Sequence, residues 1–326
     1  MYEPADMALW QGRVDAEAGA ERWHQKVTPL ITQGTGGAEP GLALLGICSD
    51  TGVRRNHGRT GAHKGPDLIR AALADQAWHL PVPCYDAGNL YCVEDNLEEM
   101  QKEQSAWVEK LLELGHFPLL LGGGHEMSLG SHLGLRAHLA RHDERGAIGI
   151  INFDAHFDLR SDVRSTSGTP FLQIADGCQK DQVPFHYLCL GVSEVANTSL
   201  LFQRAASLGA QWLLDEEVAP WKLALAENRV RHFLARCEQI HLSIDLDVLP
   251  ASVAPGVSAP SPRGVQLEVV EHLIQVIKSE AGRKLRLADI AECNPAFDSG
   301  GVTAKVAARL CHMVARKEAF VGSPRP

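Results

Sequence analysis

The chain has 326 residues, of which 45% are hydrophobic, with a formal net charge of −9 and a pI of about 5.9. This length can fill one large α/β domain, and the negative charge argues against a nucleic acid or an anionic membrane surface as a partner. Because the eight cysteines form no C-x-x-C pair and no apolar run approaches about 18 residues, we expect a cytoplasmic protein with reduced thiols that acts on a small molecule.

The N-terminal part of the chain predicts an arm followed by a buried strand. Residues 1–40 are mostly polar, and we interpret them as an N-terminal arm before a single domain at 41–326. The continuous apolar run at 41–48 is typical of a buried strand. A basic loop at 53–65 then leads to Pro66, which favours the start of a helix. A loop that leaves the carboxyl end of such a strand lies where parallel sheets bind ligands.

A second strand ends in a cluster of glycines. The next helix is predicted to begin with a capping box, Asp95-x-x-Glu98. The apolar run at 117–121 indicates a buried strand, and it continues into the glycines at 122–124 and then His125. Glycines crowd a turn where the backbone bends tightly or is closely approached. A lone histidine usually has a structural role, but its place after a strand favours a ligand.

The strand at 147–154 carries the most specific motif of the sequence. Asp154, His156 and Asp158 follow one another at every second position. Because side chains alternate faces in extended backbone, these three can point the same way. The polar loop at 159–170 after them is long enough to be functional.

The pattern recurs at a later strand, 239–247, which ends in Asp245 and Asp247. A further strand at 285–292 ends in Glu292. The other predicted elements are a strand at 185–192 and helices from Phe171, at 200–209, at 219–236 and at about 302–318. Carboxylate and imidazole donors without thiolate suit Mn²⁺, Zn²⁺ or Fe²⁺, and the recurrence favours a metal site over solvated strand ends.

In their order, these motifs resemble the ureohydrolase family of arginases, agmatinases and formimidoylglutamases. The resemblance covers roughly 41–318 and includes Gly-Gly-x-His, Asp-Ala-His-x-Asp, Ser-x-Asp-x-Asp and Asp-Ile-Ala-Glu-Cys-Asn-Pro. It implies an α/β fold, a single-domain doubly wound parallel sheet with helices on both faces, and two Mn²⁺ ions per subunit. It further implies that His125 and Asp158 bind one ion, that His156 and Asp247 bind the other, and that Asp154 and Asp245 bridge them.

The family resemblance also implies the chemistry. A hydroxide that bridges the two ions attacks an amidine-type carbon. His125, Asp154 and Asp245 are among the ligands that hold these ions. Glu292 matches the family acid that pairs with the cationic C–N group, as a planar carboxylate suits an amidinium. The alternative for Glu292 is an acid at the surface end of a strand.

Two departures point within the family to formimidoylglutamase. Gly124 stands where arginases and agmatinases carry an aspartate before the histidine, and Ser167 stands where they carry a histidine before glycine. The usual proton-shuttle histidine is therefore absent. Together with Arg160 and the arginine-rich loop at 54–59, these changes resemble formimidoylglutamase.

The substrate that this resemblance implies is N-formimidoyl-L-glutamate, whose two carboxylates call for arginines. Arg160 is the first choice for binding a carboxylate, and Ser167 is a further candidate. Arg164 and Arg59 lie further along their loops and either hold the second carboxylate or face solvent. Two alternatives stay open: hydrolysis of another acidic guanidino or amidino compound, and a catalytically silent metal-binding relative. We also expect a homo-oligomer.

Overall fold

The computed structural model describes residues 1–31, 38–143 and 146–316. Residues 32–37 of the predicted arm and 317–318 of the last predicted helix lie outside these ranges. The strands in the described ranges are β1 (Tyr2–Glu3), β2 (Val27–Pro29), β3 (Leu42–Cys48), β4 (Cys84–Tyr91), β5 (Phe117–Gly122), β6 (Ile148–Phe153), β7 (His186–Val192), β8 (Gln211–Leu214), β9 (Gln239–Asp245) and β10 (Leu285–Ala291). The helices are α1 (Trp23–Lys26), α2 (Thr51–Arg55), α3 (Gly65–Ala74), α4 (Leu97–Glu113), α5 (Met127–Arg141), α6 (Pro170–Lys180), α7 (Ser199–Ser207), α8 (Leu223–Leu234), α9 (Leu267–Ala281) and α10 (Val302–Ala315).

All these strands belong to one sheet, in the order β1-β4-β3-β5-β10-β9-β6-β7-β8, with β2 also pairing with β4. Within the described ranges every pairing is parallel except that of β1 with β4. Parallel neighbours need crossover connections, and helices provide most of them here. The predicted doubly wound α/β sheet is thereby confirmed.

Side chains of one strand enter the cores on both faces of the sheet. Leu119 and Leu121 of β5 join the core that includes residues of α3, α8, α9 and α10. Leu120, between them, joins the core formed with α4 and α5. Burial on both faces explains why these strands read as continuous apolar runs instead of alternating ones.

Several elements lie where no element was predicted: β1, α1 and β2 in the predicted arm, α2 at the predicted basic loop, and β4, β8 and α9. In β4 the pattern is interrupted by Asp86 and Asn89, two polar residues that strands usually lack. Arg70 of α3 satisfies both: Nε lies 2.8 Å from Asp86 Oδ2, and Nη1 lies 2.7 Å from Asn89 Oδ1. The buried guanidinium therefore lets a polar segment occupy the sheet.

The segment before residue 40 contributes strands to the same sheet. β1 and β2 both pair with β4, and the indole Nε1 of Trp10 donates to Asp86 Oδ2 over 2.8 Å. The boundary between an arm at 1–40 and a domain at 41–326 stays a prediction. Across the described ranges, no helix is both long and apolar enough to cross a membrane.

Candidate metal centre and substrate pocket

The candidate metal centre lies where β3, β5, β10, β9 and β6, five neighbouring strands, end at one edge of the sheet. Phe153 of β6 pairs with Ile244 of β9, and Ala291 of β10 pairs with Asp245. Because these strands are parallel and end level with one another, the segments that follow them meet in one cleft. The structure thereby brings all six predicted metal ligands together from three separate stretches of chain.

A first group of donors surrounds the imidazole of His125. Its Nδ1 atom lies 3.2 Å from Asp154 Oδ2, 3.0 Å from Asp158 Oδ2 and 3.1 Å from Asp245 Oδ2. The four donor atoms all lie within 4.8 Å of one another. A single cation can therefore contact one imidazole and three carboxylates here after small adjustments.

A second group shares one member with the first. Nδ1 of His156 lies 3.0 Å from Asp247 Oδ2 and 3.6 Å from Asp154 Oδ1. Asp154 belongs to both groups, whereas Asp245 belongs to the first alone. A bridging role for Asp154 fits this geometry, and a bridging role for Asp245 stays a prediction.

The mutual proximity of these buried groups shifts their pKa values. Burial and the charge of Asp154 raise the pKa of Asp158 to about 6, and burial and Asp247 raise that of Asp245 well above its ordinary range. Burial also raises the pKa of Asp154, but hydrogen bonds from His125 and His156 outweigh it and hold the pKa below its ordinary value. Cations would relieve the repulsion among the carboxylates.

The chemistry of the donors fits two divalent ions. Four carboxylates and two imidazoles, without thiolate, match the oxygen and nitrogen ligands that Mn²⁺, Zn²⁺ and Fe²⁺ accept. Two overlapping groups with one shared carboxylate are also what a binuclear site requires.

A third group of possible ligands, Glu113, His138 and His142, lies between α4 and α5 and does not favour a metal. Arg286 Nη2 donates to Nε2 of His138 over 2.9 Å, so the ring proton is on Nδ1, which lies 2.7 Å from Glu113 Oε1. A protonated nitrogen has no lone pair for a cation. We assign this group to packing between the two helices.

The glycine-rich turn before His125 is required by close backbone approach. A Cβ atom on Gly123 would lie 2.4 Å from the carbonyl oxygen of Ile47 and 2.5 Å from that of Ser49. The carbonyl of Gly123 also accepts a hydrogen bond from the amide of Glu292 over 2.7 Å. The turn therefore joins the ends of β3, β5 and β10 and fixes the position of the His125 backbone.

Glu292 lies at the end of β10, next to the metal ligands, and lines the same pocket. Its Oε1 atom accepts a hydrogen bond from the His125 amide over 3.0 Å, and its Oε2 has no hydrogen-bond partner among the described residues. Burial and the nearby charge of Glu126 raise its pKa to about 8. Its φ of 69° lies in the left-handed region, which costs strain in a residue with a Cβ atom.

Glu126 is a buried neighbour to which the sequence analysis assigned no role. Its Oε1 accepts hydrogen bonds from Ser49 Oγ over 3.0 Å and from the amide of Gly52 over 2.9 Å. Burial raises its pKa to about 7. Glu126 thus connects the loop after β3 to the turn that carries His125. Its partners lie more than seventy residues away in the sequence, so no local pattern indicates this role.

The cleft above the ligands is a pocket of about 310 Å³ that both Arg160 and Ser167 line. Oγ of Ser167 accepts a hydrogen bond from Asn56 Nδ2 over 3.2 Å. The side chain of Arg160 lies across Gly168, where a Cβ atom would come within 2.8 Å of its Cδ. Pocket-lining residues that the sequence analysis did not single out are Asn56, His57, Gly58, Ser258 and Ala259.

Arg59 also lines the pocket, but its guanidinium is engaged in holding loops together. Nε donates to the carbonyl of Ser258 over 2.9 Å, Nη2 donates to the carbonyl of Val257, and the group lies 4.1 Å from the centre of the Phe297 ring. We therefore assign Arg59 mainly to shaping the pocket wall.

Of the two alternatives for Arg164, the structure favours the one outside the substrate site, because the half-exposed Arg164 does not line the pocket. Its guanidinium pairs with Asp95 and Glu98 at the start of α4. These two acids also accept from Arg55, and they form no capping box, since Asn96 is the N-cap and makes no side-chain capping bond. The negative charges of Asp95 and Glu98 thus determine the position of Arg164, and the sequence around Arg164 contains no sign of them.

Comparison with known proteins adds relatives that match nearly the full length. A sequence profile of the Arginase family matches residues 40–315. A formimidoylglutamase from Aeromonas hydrophila is 51% identical over 316 residues, 96% of this chain and 98% of the relative. One from Chromobacterium violaceum is 47% identical over 313 residues, 95% of this chain and 98% of the relative.

Solved structures share the fold. A formimidoylglutamase from Bacillus subtilis has a TM-score of 0.78 at 21% identity and covers 93% of this chain and 94% of its own. A formiminoglutamase from Trypanosoma cruzi with Mn²⁺ has a TM-score of 0.73 at 24% identity and covers 85% of this chain and 93% of its own.

Proposed function

Because the chain belongs to the arginase family, we propose that it is a formimidoylglutamase, which hydrolyses N-formimidoyl-L-glutamate to L-glutamate and formamide with two Mn²⁺ ions. The observation that carries the proposal is the pocket of about 310 Å³, which five of the six predicted metal ligands line together with Glu292 and Arg160; Asp154 lies buried beside them. Relatives of nearly the same length as this chain, with about half of their residues identical to it, carry this name.

The six donors would hold the two ions, with His125, Asp158, Asp154 and Asp245 around one and His156, Asp247 and Asp154 around the other. When bound, the ions supply the nucleophile by lowering the pKa of a water molecule towards neutrality. The residues of the chain then have to bind, orient and neutralise the substrate.

Glu292 is suited to bind the amidinium of the substrate. The residue lines the pocket, its Oε1 is fixed by the His125 amide, and its Oε2 is buried without a hydrogen-bond partner in the described part of the chain. A cation beside this carboxyl group favours its ionised form and so lowers the raised pKa. The planar amidinium can then be held against the ligands by a charge-assisted hydrogen bond.

Arg160 is the candidate for a substrate carboxylate. It follows Asp158 by two residues, its amide donates to the carbonyl of Gly168 over 2.8 Å, and its side chain lines the pocket. No carboxylate within the described ranges forms an ion pair with it, in contrast to Arg164. Ser167, held by Asn56, offers a hydroxyl in the same wall and is proposed to contact the substrate too.

The proposal is tested by assaying the Mn²⁺-loaded protein with N-formimidoyl-L-glutamate, arginine, agmatine and a guanidino dicarboxylic acid, with formamide or urea as the measured product. We expect formamide from the first compound at a far higher kcat/KM than any product from the others. Preferred turnover of the guanidino acid would show a different ureohydrolase. Absence of turnover with all four, in protein that binds two ions, would favour the catalytically silent relative.

The homo-oligomer, the cytoplasmic location and the choice of Mn²⁺ over Zn²⁺ or Fe²⁺ also stay predictions. Light scattering on the purified protein measures the first. Activity after reconstitution with each metal measures the last.

A further inference from the structure

The second ring nitrogen of His125 begins a chain of buried polar groups that leads away from the pocket. Nε2 lies 2.9 Å from Oγ of Ser243, and this hydroxyl lies 2.6 Å from Oδ1 of Asp289. All three side chains are buried, and Ser243 and Asp289 lie on the adjacent strands β9 and β10. These hydrogen bonds extend from the predicted metal centre into the interior of the sheet.

The direction of these hydrogen bonds follows from the groups around Asp289. Its carboxylate receives Ser243 and Ser128 at Oδ1, the latter over 3.1 Å, and Nε2 of His241 at Oδ2 over 2.7 Å. Burial raises the pKa of Asp289, but the charge and hydrogen bond of His241 lower it by more, so that the net pKa lies below its ordinary value and the carboxyl group is ionised at neutral pH. An ionised carboxylate only accepts, so Ser243 donates to it.

A serine hydroxyl has one proton, and here Asp289 takes it. Oγ of Ser243 must therefore accept from His125, which places a proton on Nε2. The other ring nitrogen, Nδ1, is the one that faces Asp154, Asp158 and Asp245. If His125 gives up a proton to a cation, that proton leaves from Nδ1.

We propose that Asp289, acting through Ser243, is a positioning residue that fixes the tautomer of His125 so that Nδ1 can bind a metal ion. The inference rests on the proposed metal centre and adds residues to it that do not contact the ion. Without the Ser243 acceptor, the three carboxylates would favour the opposite tautomer, whose Nδ1 proton competes with the cation. Partners of this kind typically contribute about 10- to 100-fold to metal affinity.

The test is a Mn²⁺ titration of the full-length, metal-free protein by calorimetry, comparing Ser243→Ala with Ser128→Ala. Both changes remove one buried hydroxyl that contacts Asp289, but only Ser243 contacts His125. Ser128 Oγ also lies 3.0 Å from Ser243 Oγ, so Ser128→Ala keeps the path from Asp289 through Ser243 to His125 and removes a neighbour of it. In Ser243→Ala we expect the affinity of one of the two Mn²⁺ sites to fall roughly 10- to 100-fold, with the other site unchanged. Ser128→Ala should bind both ions as the wild type does.

A second variant covers the case in which Ser243→Ala does not fold. Asp289→Asn keeps the shape of the side chain but removes the charge that orients Ser243, and it should also weaken one site. Urea unfolding of each metal-free variant separates a general loss of stability from a loss at one site.

Unchanged affinities in Ser243→Ala or, if that variant fails, in Asp289→Asn would overturn the proposal, as would equal weakening in Ser243→Ala and Ser128→Ala. The proposed function fails separately. Wild-type protein that binds two ions but releases no formamide refutes the substrate and leaves this titration valid.

Discussion

The amide of His125 donates a hydrogen bond to the carboxylate of Glu292 over 3.0 Å, so a predicted metal ligand and the predicted substrate acid are fixed to one another. A glutamine at 292 can still accept this bond through its side-chain oxygen. We therefore expect Glu292→Gln to retain both ions and to lose roughly 10- to 200-fold in kcat/KM, since an amide lacks the charge that holds an amidinium. The measurement is kcat/KM beside metal content, and a loss of metal would make Glu292 a ligand instead.

Asp154 is the carboxylate shared by both donor groups, and its loss should affect both ions. We expect Asp154→Asn to retain less Mn²⁺ after dialysis than His156→Ala, which should keep one ion per chain because it removes a donor from the second group alone. Atomic absorption measures both. Two retained ions in Asp154→Asn would show that Asp154 does not bridge them.

Arg160 and Arg164 lie four residues apart on one loop but face different partners, which provides a matched pair of variants. Arg160→Ala should lower kcat/KM for N-formimidoyl-L-glutamate roughly 10- to 200-fold, the range for a lost charge-assisted hydrogen bond. Arg164→Ala should change it by less than about twofold, because it breaks an exposed ion pair. Metal content should be unchanged in both. An unaffected Arg160→Ala would remove Arg160 from the substrate site.

His132 predicts a pH dependence of folding stability. Burial, aided by the charges of His241 and Arg136, lowers its pKa from 6.5 to about 3. Because the unfolded chain binds the proton more readily, the contribution of His132 to stability is complete above pH 6.5 and falls as the pH drops towards 3. At roughly 1.4 kcal/mol for each pH unit, about 2 kcal/mol should be lost between pH 6.5 and 5.

Urea unfolding in EDTA at pH 7.5 and 5 measures this effect. His132→Gln, which cannot be protonated, should make the change in unfolding free energy from pH 7.5 to pH 5 about 2 kcal/mol more favourable to the folded state than it is in the wild type. The exposed His232 is the control, and His232→Gln should give the same change as the wild type. An equal shift in both variants would argue against His132 as the cause.

The positions of the metal ligands could be predicted because they follow the ends of parallel strands, which lie at one edge of the sheet. The alternation expected for Asp154, His156 and Asp158 does not hold, because β6 ends at Phe153 and Asp158 has a φ of 48°. The same reasoning cannot place Arg164, because the acids that hold it, Asp95 and Glu98, are more than sixty residues away. Loop arginines take their positions from such long-range partners.

The unassigned elements differ in the reason they were missed. Strand β4 depends on Arg70, whose burial against Asp86 compensates for polar residues that a local pattern counts against a strand. In α9, by contrast, the buried residues Val270, Ile274 and Ile277 follow the helical spacing, so the apolar pattern of the sequence itself indicates this helix.

The last strand of the described ranges, β10, lies in the middle of the sheet, between β5 and β9. Until its residues leave the ribosome, the two halves of the sheet expose unpaired edges, which favour pairing with other chains. The pocket cannot assemble before then either, because Glu292 ends this strand. A chain truncated before β10 should therefore expose both edges and aggregate instead of folding.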